Sequence, residues 1–204
     1  RRTVAHHLAS TTGNWNERNR FDAVELDGKT LLILGFGRIG RRVAELARAF
    51  GMKVEAFDPF VPVEQMRALG VVRAADVSSA LAAADYVSIH QPGGQVVLGA
   101  AELAMMKPTA IVVNAARGGA IDEIALDAAL RNRALRAAAL DVLRDEPPSQ
   151  DHPLLSNPHV TFSPHNAGLT EECAMRMSLA AAQNILDCFD GCLKPGLVVN
   201  SQQV

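Results

Sequence analysis

At 204 residues, with 49% hydrophobic and 21% charged residues, the chain is long enough for a real core and is not composed like a disordered segment. A formal net charge of -2 offers no basic field to a phosphate backbone, so nucleic acid is not an expected partner. Three cysteines form no disulfide framework and no apolar run is long enough to span a membrane, which together point to a reducing cytoplasm.

The opening RRTVAHHLAS has no signal-peptide core, lacks an initiator Met and begins in a helix already under way, so a fragment or processed piece is expected. TLLIL (30–34) reads as a strand, and a helical pattern follows with Ile39, Val43, Leu46 and Phe50 on one face. KVEAF (53–57) is a second strand, 62–69 is weakly helical, and VVRA (71–74) is a short strand. Helix is expected over 76–84, strand over DYVSI (85–89), helix over 100–106, and strand over TAIVV (109–113). Residues 121–131 form a helix with Asp122 and Glu123 where an N-terminus favours acids. ALRAAAL (134–140) and HVTFS (159–163) complete the strands, and Thr170 caps a long helix over 171–189. Strands alternating with helices predict right-handed crossovers: an α/β, Rossmann-like, doubly wound parallel sheet with helices on both faces. Ligands of such sheets sit outside the carboxyl ends of the strands, so residues just after each strand are the candidates.

Gly35, Gly37 and Gly40 spell G-x-G-x-x-G between the first strand and its helix. The first glycine permits the turn, the second lets backbone approach a pyrophosphate, and the third lets helix and strand pack closely. The helix N-terminus adds free N–H groups and partial positive charge. Asp58, eighteen residues past Gly40, ends the second strand, where a carboxylate binds ribose hydroxyls. Pro59 and Phe60 follow it rather than Arg or Lys, which favours NAD over NADP. A tight structural turn beside a solvated Asp is the competing explanation.

His90 and Gln91 follow the fourth strand, Asn114–Gly119 the fifth, Asp141 the sixth with Glu146 in the loop beyond, and His165 the last. All are expected on one rim. Arg117, among small residues, has room to grip a carboxylate through two parallel hydrogen bonds. His90 reads as structural or merely near the cofactor. A zinc site from His152, His159, His165 and Cys173 lacks any paired spacing, so no metal is expected.

GFGRIGRRVAELARAFGMKVEAFDP, NAARGGAIDE, ALDVLRDEPP and SPHNAGLT, in that order, resemble the cofactor domain of the D-isomer-specific 2-hydroxyacid dehydrogenase family. The resemblance implies that Arg117 binds the substrate carboxylate, that His165 is the acid/base, and that Glu146 pairs with His165. It puts Arg38 and Ile39 on the pyrophosphate and Asp141 at the nicotinamide carboxamide. Ala115, Ala116 and the turn from His165 to Gly168 would line the nicotinamide, with Gln91 also at the cofactor. Residues 1–25 resemble a linker helix and arm, 26–190 the NAD-binding domain, and 191–204 a tail returning toward an N-terminal substrate domain that this chain lacks. A homodimer is implied, with the arm and Trp15 reaching the neighbouring subunit. The loop QPGGQVVLG departs from the family in lacking its threonine-rich stretch.

For His165 the resemblance and the chemistry agree. Reducing a 2-keto acid to a 2-hydroxy acid requires a hydride from NADH, a carboxylate anchor and a proton for the carbonyl oxygen. An imidazole titrating near neutral pH can supply that proton. A packed histidine is the alternative at this position. For the whole chain, a non-enzymatic NAD(H)-sensing scaffold, like the corepressors that resemble this family, is the rival reading. Formate oxidation ranks below it, because that branch carries Gln where this chain has Glu146.

Overall fold

The computed structural model describes residues 3–198. It falls into two compact units, one ending at Ser163 and the other beginning at Pro164. Residues 199–204, the end of the expected tail, lie outside the described residues.

The first unit opens with α1 (Thr3–Thr11) and a 3-10 turn (Trp15–Arg20). Seven strands then build one sheet: β1 (Thr30–Leu34), β2 (Lys53–Phe57), β3 (Val72–Arg73), β4 (Tyr86–Ile89), β5 (Ile111–Asn114), β6 (Ala137–Leu140) and β7 (Val160–Phe162). Their order is β3-β2-β1-β4-β5-β6-β7, with every neighbouring pair parallel. Leu31 of β1 stands opposite Val54 of β2 and Tyr86 of β4. The chain turns outward in opposite directions from β1, so β1 and β4 flank the topological switch point.

Parallel sheets are covered on both faces, and β1 shows why its sequence is a continuous apolar run. Leu31 and Ile33 enter one core layer with Phe36, Ala44, Val54 and Met66. Leu32 and Leu34 enter the other with Leu81, Val87, Ile89, Leu103, Val112 and Leu126. The covering helices are α2 (Arg38–Ala49), α3 (Val63–Ala68), α4 (Val77–Ala83), α5 (Ala100–Met105) and α6 (Glu123–Arg131). Asp76 and Asp122 cap α4 and α6 through their side chains.

The expected apolar stripe of α2 is corrected. Ile39, Leu46 and Phe50 are exposed, and the buried positions are Gly40, Ala44 and Ala47. Val43, the fourth residue of the stripe, is partly buried and packs against the core.

In the second unit, α7 (Glu171–Phe189) is capped by the Thr170 side chain, which accepts from Cys173 N at 3.1 Å. The turn before it carries His165 at φ 51°, a left-handed conformation uncommon for any residue but glycine.

Candidate functional site

The glycine loop is fixed by two contacts that exclude side chains. A Cβ on Gly35, at φ 92°, would stand 2.7 Å from the carbonyl carbon and oxygen of His90, where the exits of β1 and β4 meet. A Cβ on Gly40 would stand 2.4 Å from the Gly35 carbonyl oxygen. These are backbone atoms and cannot step aside. Gly37 differs: a Cβ there meets nothing within 4 Å. The fold itself makes no demand for glycine at 37, whereas a pyrophosphate drawn against the loop would. Arg38 and Ile39 begin α2 with exposed side chains, and their backbone N–H groups belong to its unsatisfied first turn. The residues present therefore fit a dinucleotide.

Asp58 closes over this loop from the end of β2. Its Oδ2 accepts from Phe36 N at 2.8 Å and its Oδ1 from Phe60 N at 2.9 Å. Both oxygens are oriented and half-buried, with acceptor capacity remaining. Arg41 steadies the same loop, donating to the Phe36 carbonyl at 3.1 Å and to Gln65 at 2.8 Å. Beside β1 and β4 a recess of about 260 Å³ is lined by Leu34, Phe57, Val77, Gln91, Val97 and Glu102.

His90 turns away from proton chemistry. Burial pushes its imidazole below the usual value, and its Nε2 lies 2.8 Å from Ser88 Oγ. It stays neutral, and its backbone serves as the wall against Gly35.

The loop after β5 is organised by Asn114, which is 2% exposed. Its Oδ1 accepts from Ala116 N at 3.1 Å and its Nδ2 donates to the Arg117 carbonyl at 3.0 Å. Ala115 and Ala116 are thereby set in a closed turn. The exposed Arg117 side chain donates from Nη1 to the Ala116 carbonyl at 2.7 Å. Sequence reasoning named the loop without seeing this role for Asn114. A polar residue closing an otherwise apolar strand was the available signal.

Gly118 then meets the loop after β6. A Cβ there would stand 1.8 Å from the Leu143 carbonyl oxygen and 2.8 Å from Arg144 N. This backbone-on-backbone contact sets the Arg117 loop against the one carrying Asp141 and Glu146. Asp141 is buried, accepts from Ser163 Oγ, and donates its own N–H to the Asn114 carbonyl at 2.9 Å. Glu146 Oε1 accepts from Leu143 N at 3.0 Å. In the first unit the structure thus gathers Gly35–Gly40, Asp58, Gln91, Ala115–Arg117, Asp141 and Glu146 at strand ends. His165 and Gly168 belong to the turn of the second unit.

The sequence placed Glu123 at a helix N-terminus and His152 among rejected zinc candidates, but gave no sign that the two pair. Glu123 Oε1 accepts from Arg144 N at 2.6 Å, and Glu123 Oε2 lies 3.0 Å from His152 Nε2. No cluster of three metal-ligating side chains occurs among the described residues, nor any helix long and apolar enough to cross a membrane.

Comparison with known proteins gives a consistent result. The family model described as D-isomer specific 2-hydroxyacid dehydrogenase, NAD binding domain, matches residues 1–167. A D-3-phosphoglycerate dehydrogenase of Methanocaldococcus jannaschii is 41% identical over 189 residues, covering 91% of this chain and 36% of that protein. The crystal structure of a glyoxylate reductase from Paecilomyes thermophila superposes with TM-score 0.77 at 33% identity, over 93% of this chain and 56% of that one. A D-lactate dehydrogenase from Aquifex aeolicus, solved with NAD and lactic acid, gives TM-score 0.82 at 26% identity, over 93% and 62%. The chain spans about a third of the length of the phosphoglycerate dehydrogenase and a little over half of the two solved proteins.

Proposed function

We propose, from the premise that this chain belongs to the D-isomer specific 2-hydroxyacid dehydrogenase family and carries its NAD binding domain, that it serves reversible hydride transfer between NAD(H) and a small 2-hydroxy or 2-keto acid. NADH, when bound, supplies the hydride. Arg117 grips the substrate carboxylate bidentately and so turns the keto carbon toward the cofactor. His165 gives its proton to the carbonyl oxygen in reduction and takes it back in oxidation. Glu146 is the carboxylate that favours the protonated ring. Arg38, Ile39 and the three glycines hold the pyrophosphate, Asp58 the adenosine ribose, and Gln91, Ala115, Ala116, Asp141 and Gly168 the remainder of the cofactor.

The observation that carries this reading is the contact of Gly118 with the Leu143 carbonyl. It sets the Arg117 and Glu146 loops side by side at the end of the sheet that also bears the glycine loop. The test is an NADH-oxidation screen of the full-length protein against a panel of 2-keto acids. Turnover on one of them is expected. NADH binding without turnover on any would favour the non-enzymatic sensor instead.

Asp58 sets the cofactor. Its fixed carboxylate accepts from ribose hydroxyls and repels a 2′-phosphate. Asp58→Ala is expected to weaken NADH binding by about 10–100-fold, the worth of hydrogen bonds to a charged group. NADPH binding should change much less. Fluorescence titration with both cofactors checks this, and equal loss of the two would overturn it.

A homodimer is proposed from the family resemblance, with the arm reaching the second subunit. Trp15 and Phe21 on that arm are exposed, and the Arg136 guanidinium anchors its far end by donating to the Asp22 carbonyl. Sedimentation at micromolar concentration should give twice the chain mass, with Trp15 fluorescence blue-shifted relative to a free indole. A monomer with a solvent-exposed Trp15 would contradict it. The three cysteines are free thiols, which suits the cytoplasm as the proposed compartment.

A further inference from the structure

We propose that Glu123 is a positioning residue for the reaction: its carboxylate holds the loop that presents Glu146, and His152 holds the carboxylate. The inference rests on the role proposed for Glu146.

Glu123 is the first residue of α6, far in sequence from the groups it binds. Its Oε1 accepts from Arg144 N at 2.6 Å, and its Oε2 meets His152 Nε2 at 3.0 Å. Both side chains are largely withdrawn from solvent, at 13% and 16% exposure. Three residues of the loop are thereby tied in sequence. The Leu143 carbonyl rests against Gly118, the Leu143 amide donates to Glu146 Oε1, and the Arg144 amide donates to Glu123. The hydrogen bond at Arg144 N fixes the peptide plane next to the one whose Leu143 N–H meets Glu146. Among these contacts, the one to Glu123 is the hydrogen bond that ties the loop to α6.

His152 has one use here. Its Nδ1 is buried without a hydrogen-bond partner among the described residues, so Nε2 makes the one polar contact of the ring. A carboxylate only accepts, so the hydrogen bond between them has its proton on Nε2. The ring thus donates to Glu123 and fixes the carboxylate rotamer, leaving Oε1 aimed at Arg144.

The test uses the full-length protein and four variants: Glu123→Ala, Glu123→Gln, Glu146→Gln, and Glu123→Ala combined with Glu146→Gln. Glu123→Ala is expected to raise the hydrogen-exchange rate of the Arg144 amide by about tenfold or more and to lower kcat by a similar factor, the size of one charge-assisted hydrogen bond. NADH affinity should hold within about twofold, because the glycine loop and Asp58 lie on other loops and Asp141, on the same loop, is held independently by the Asn114 carbonyl and Ser163 Oγ. Exchange of the β4 and β5 amides should not change, which shows the fold is intact. The pH–rate profile should move as it does in Glu146→Gln, and combining the two changes should add little. Glu123→Gln keeps an acceptor for Arg144 N and should restore most of kcat. Unaltered Arg144 exchange in Glu123→Ala overturns the inference, as does faster exchange with an unmoved pH profile. If Glu146→Gln itself leaves the profile unmoved, the fault lies in the role given to Glu146, and the positioning role falls with it.

Discussion

Replacing His165 by Ala in the full-length protein is expected to lower kcat for 2-keto acid reduction by about 10²–10⁴-fold, the usual worth of a positioned general acid. NADH affinity should scarcely change, since the glycine loop and Asp58 are the groups proposed to carry most of the cofactor. Stopped-flow turnover and cofactor titration separate the two effects. Glu146→Gln sharpens the test, because it keeps a hydrogen-bonding group while removing the negative charge proposed to favour the protonated ring. Reduction, which requires the protonated ring, should weaken most at neutral and alkaline pH and recover as pH falls. Oxidation requires the neutral ring, so its profile should extend to lower pH. If neither profile moves, Glu146 is not the partner and Asp145 becomes the group to examine. The left-handed backbone of His165 bears on this, since strained conformations gather where a side chain has to be aimed.

Gly118→Ala is expected to be strongly destabilising, because among the glycines its added Cβ would come nearest to a main-chain atom. The new Cβ would lie 1.8 Å from the Leu143 carbonyl oxygen and 2.3 Å from its carbon. Overpacking typically costs about 1–3 kcal/mol, and with backbone as the obstacle the upper end applies. At roughly 2–4 °C per kcal/mol for a chain of this size, the unfolding midpoint should fall by about 6–12 °C. The two loops should also separate, lowering kcat together with stability. Gly37→Ala is the matched control, because its Cβ meets nothing. Its midpoint should stay at the wild-type value while NADH affinity drops. Thermal unfolding and NADH titration of both variants decide the matter. A stable Gly118→Ala, or a Gly37→Ala that binds NADH normally, would refute the corresponding assignment.

The sheet was largely legible because its strands are short apolar runs between turn residues. TLLIL and KVEAF became β1 and β2 without change. The expected TAIVV strand shifts to Ile111–Asn114, since Asn114 pairs opposite Ile89 and Leu140 and spends its side chain on the loop beyond. In ALRAAAL only Ala137–Leu140 extends, and alanine, poor in strand preference, marked that boundary weakly. The inner face of α2 was misread because large apolar residues suggest a buried stripe, whereas the fully buried positions are Gly40, Ala44 and Ala47. The glycine loop and Asp58 were legible through fixed spacing around a strand–helix junction. The pairing of Glu123 with His152 was not. They stand 29 residues apart, and no periodicity relates residues brought together by separate loops. The conformation of His165 was hidden as well, because nothing in SPHNAG requires a positive φ at a histidine.

The fit of Gly118 against Leu143 also bears on how this domain can be shuffled among its relatives. The contact is between main chains, so it depends on loop path rather than on side-chain identity, and both loops have to come from the same parent. A crossover placed in α6 or β6 would join the first loop of one parent to the second of another, each shaped for a different companion. Crossovers before β5 or after β7 would inherit the matched pair intact. Segment-swap libraries built on this chain therefore have a block from Ile111 to Phe162 that travels as one cassette.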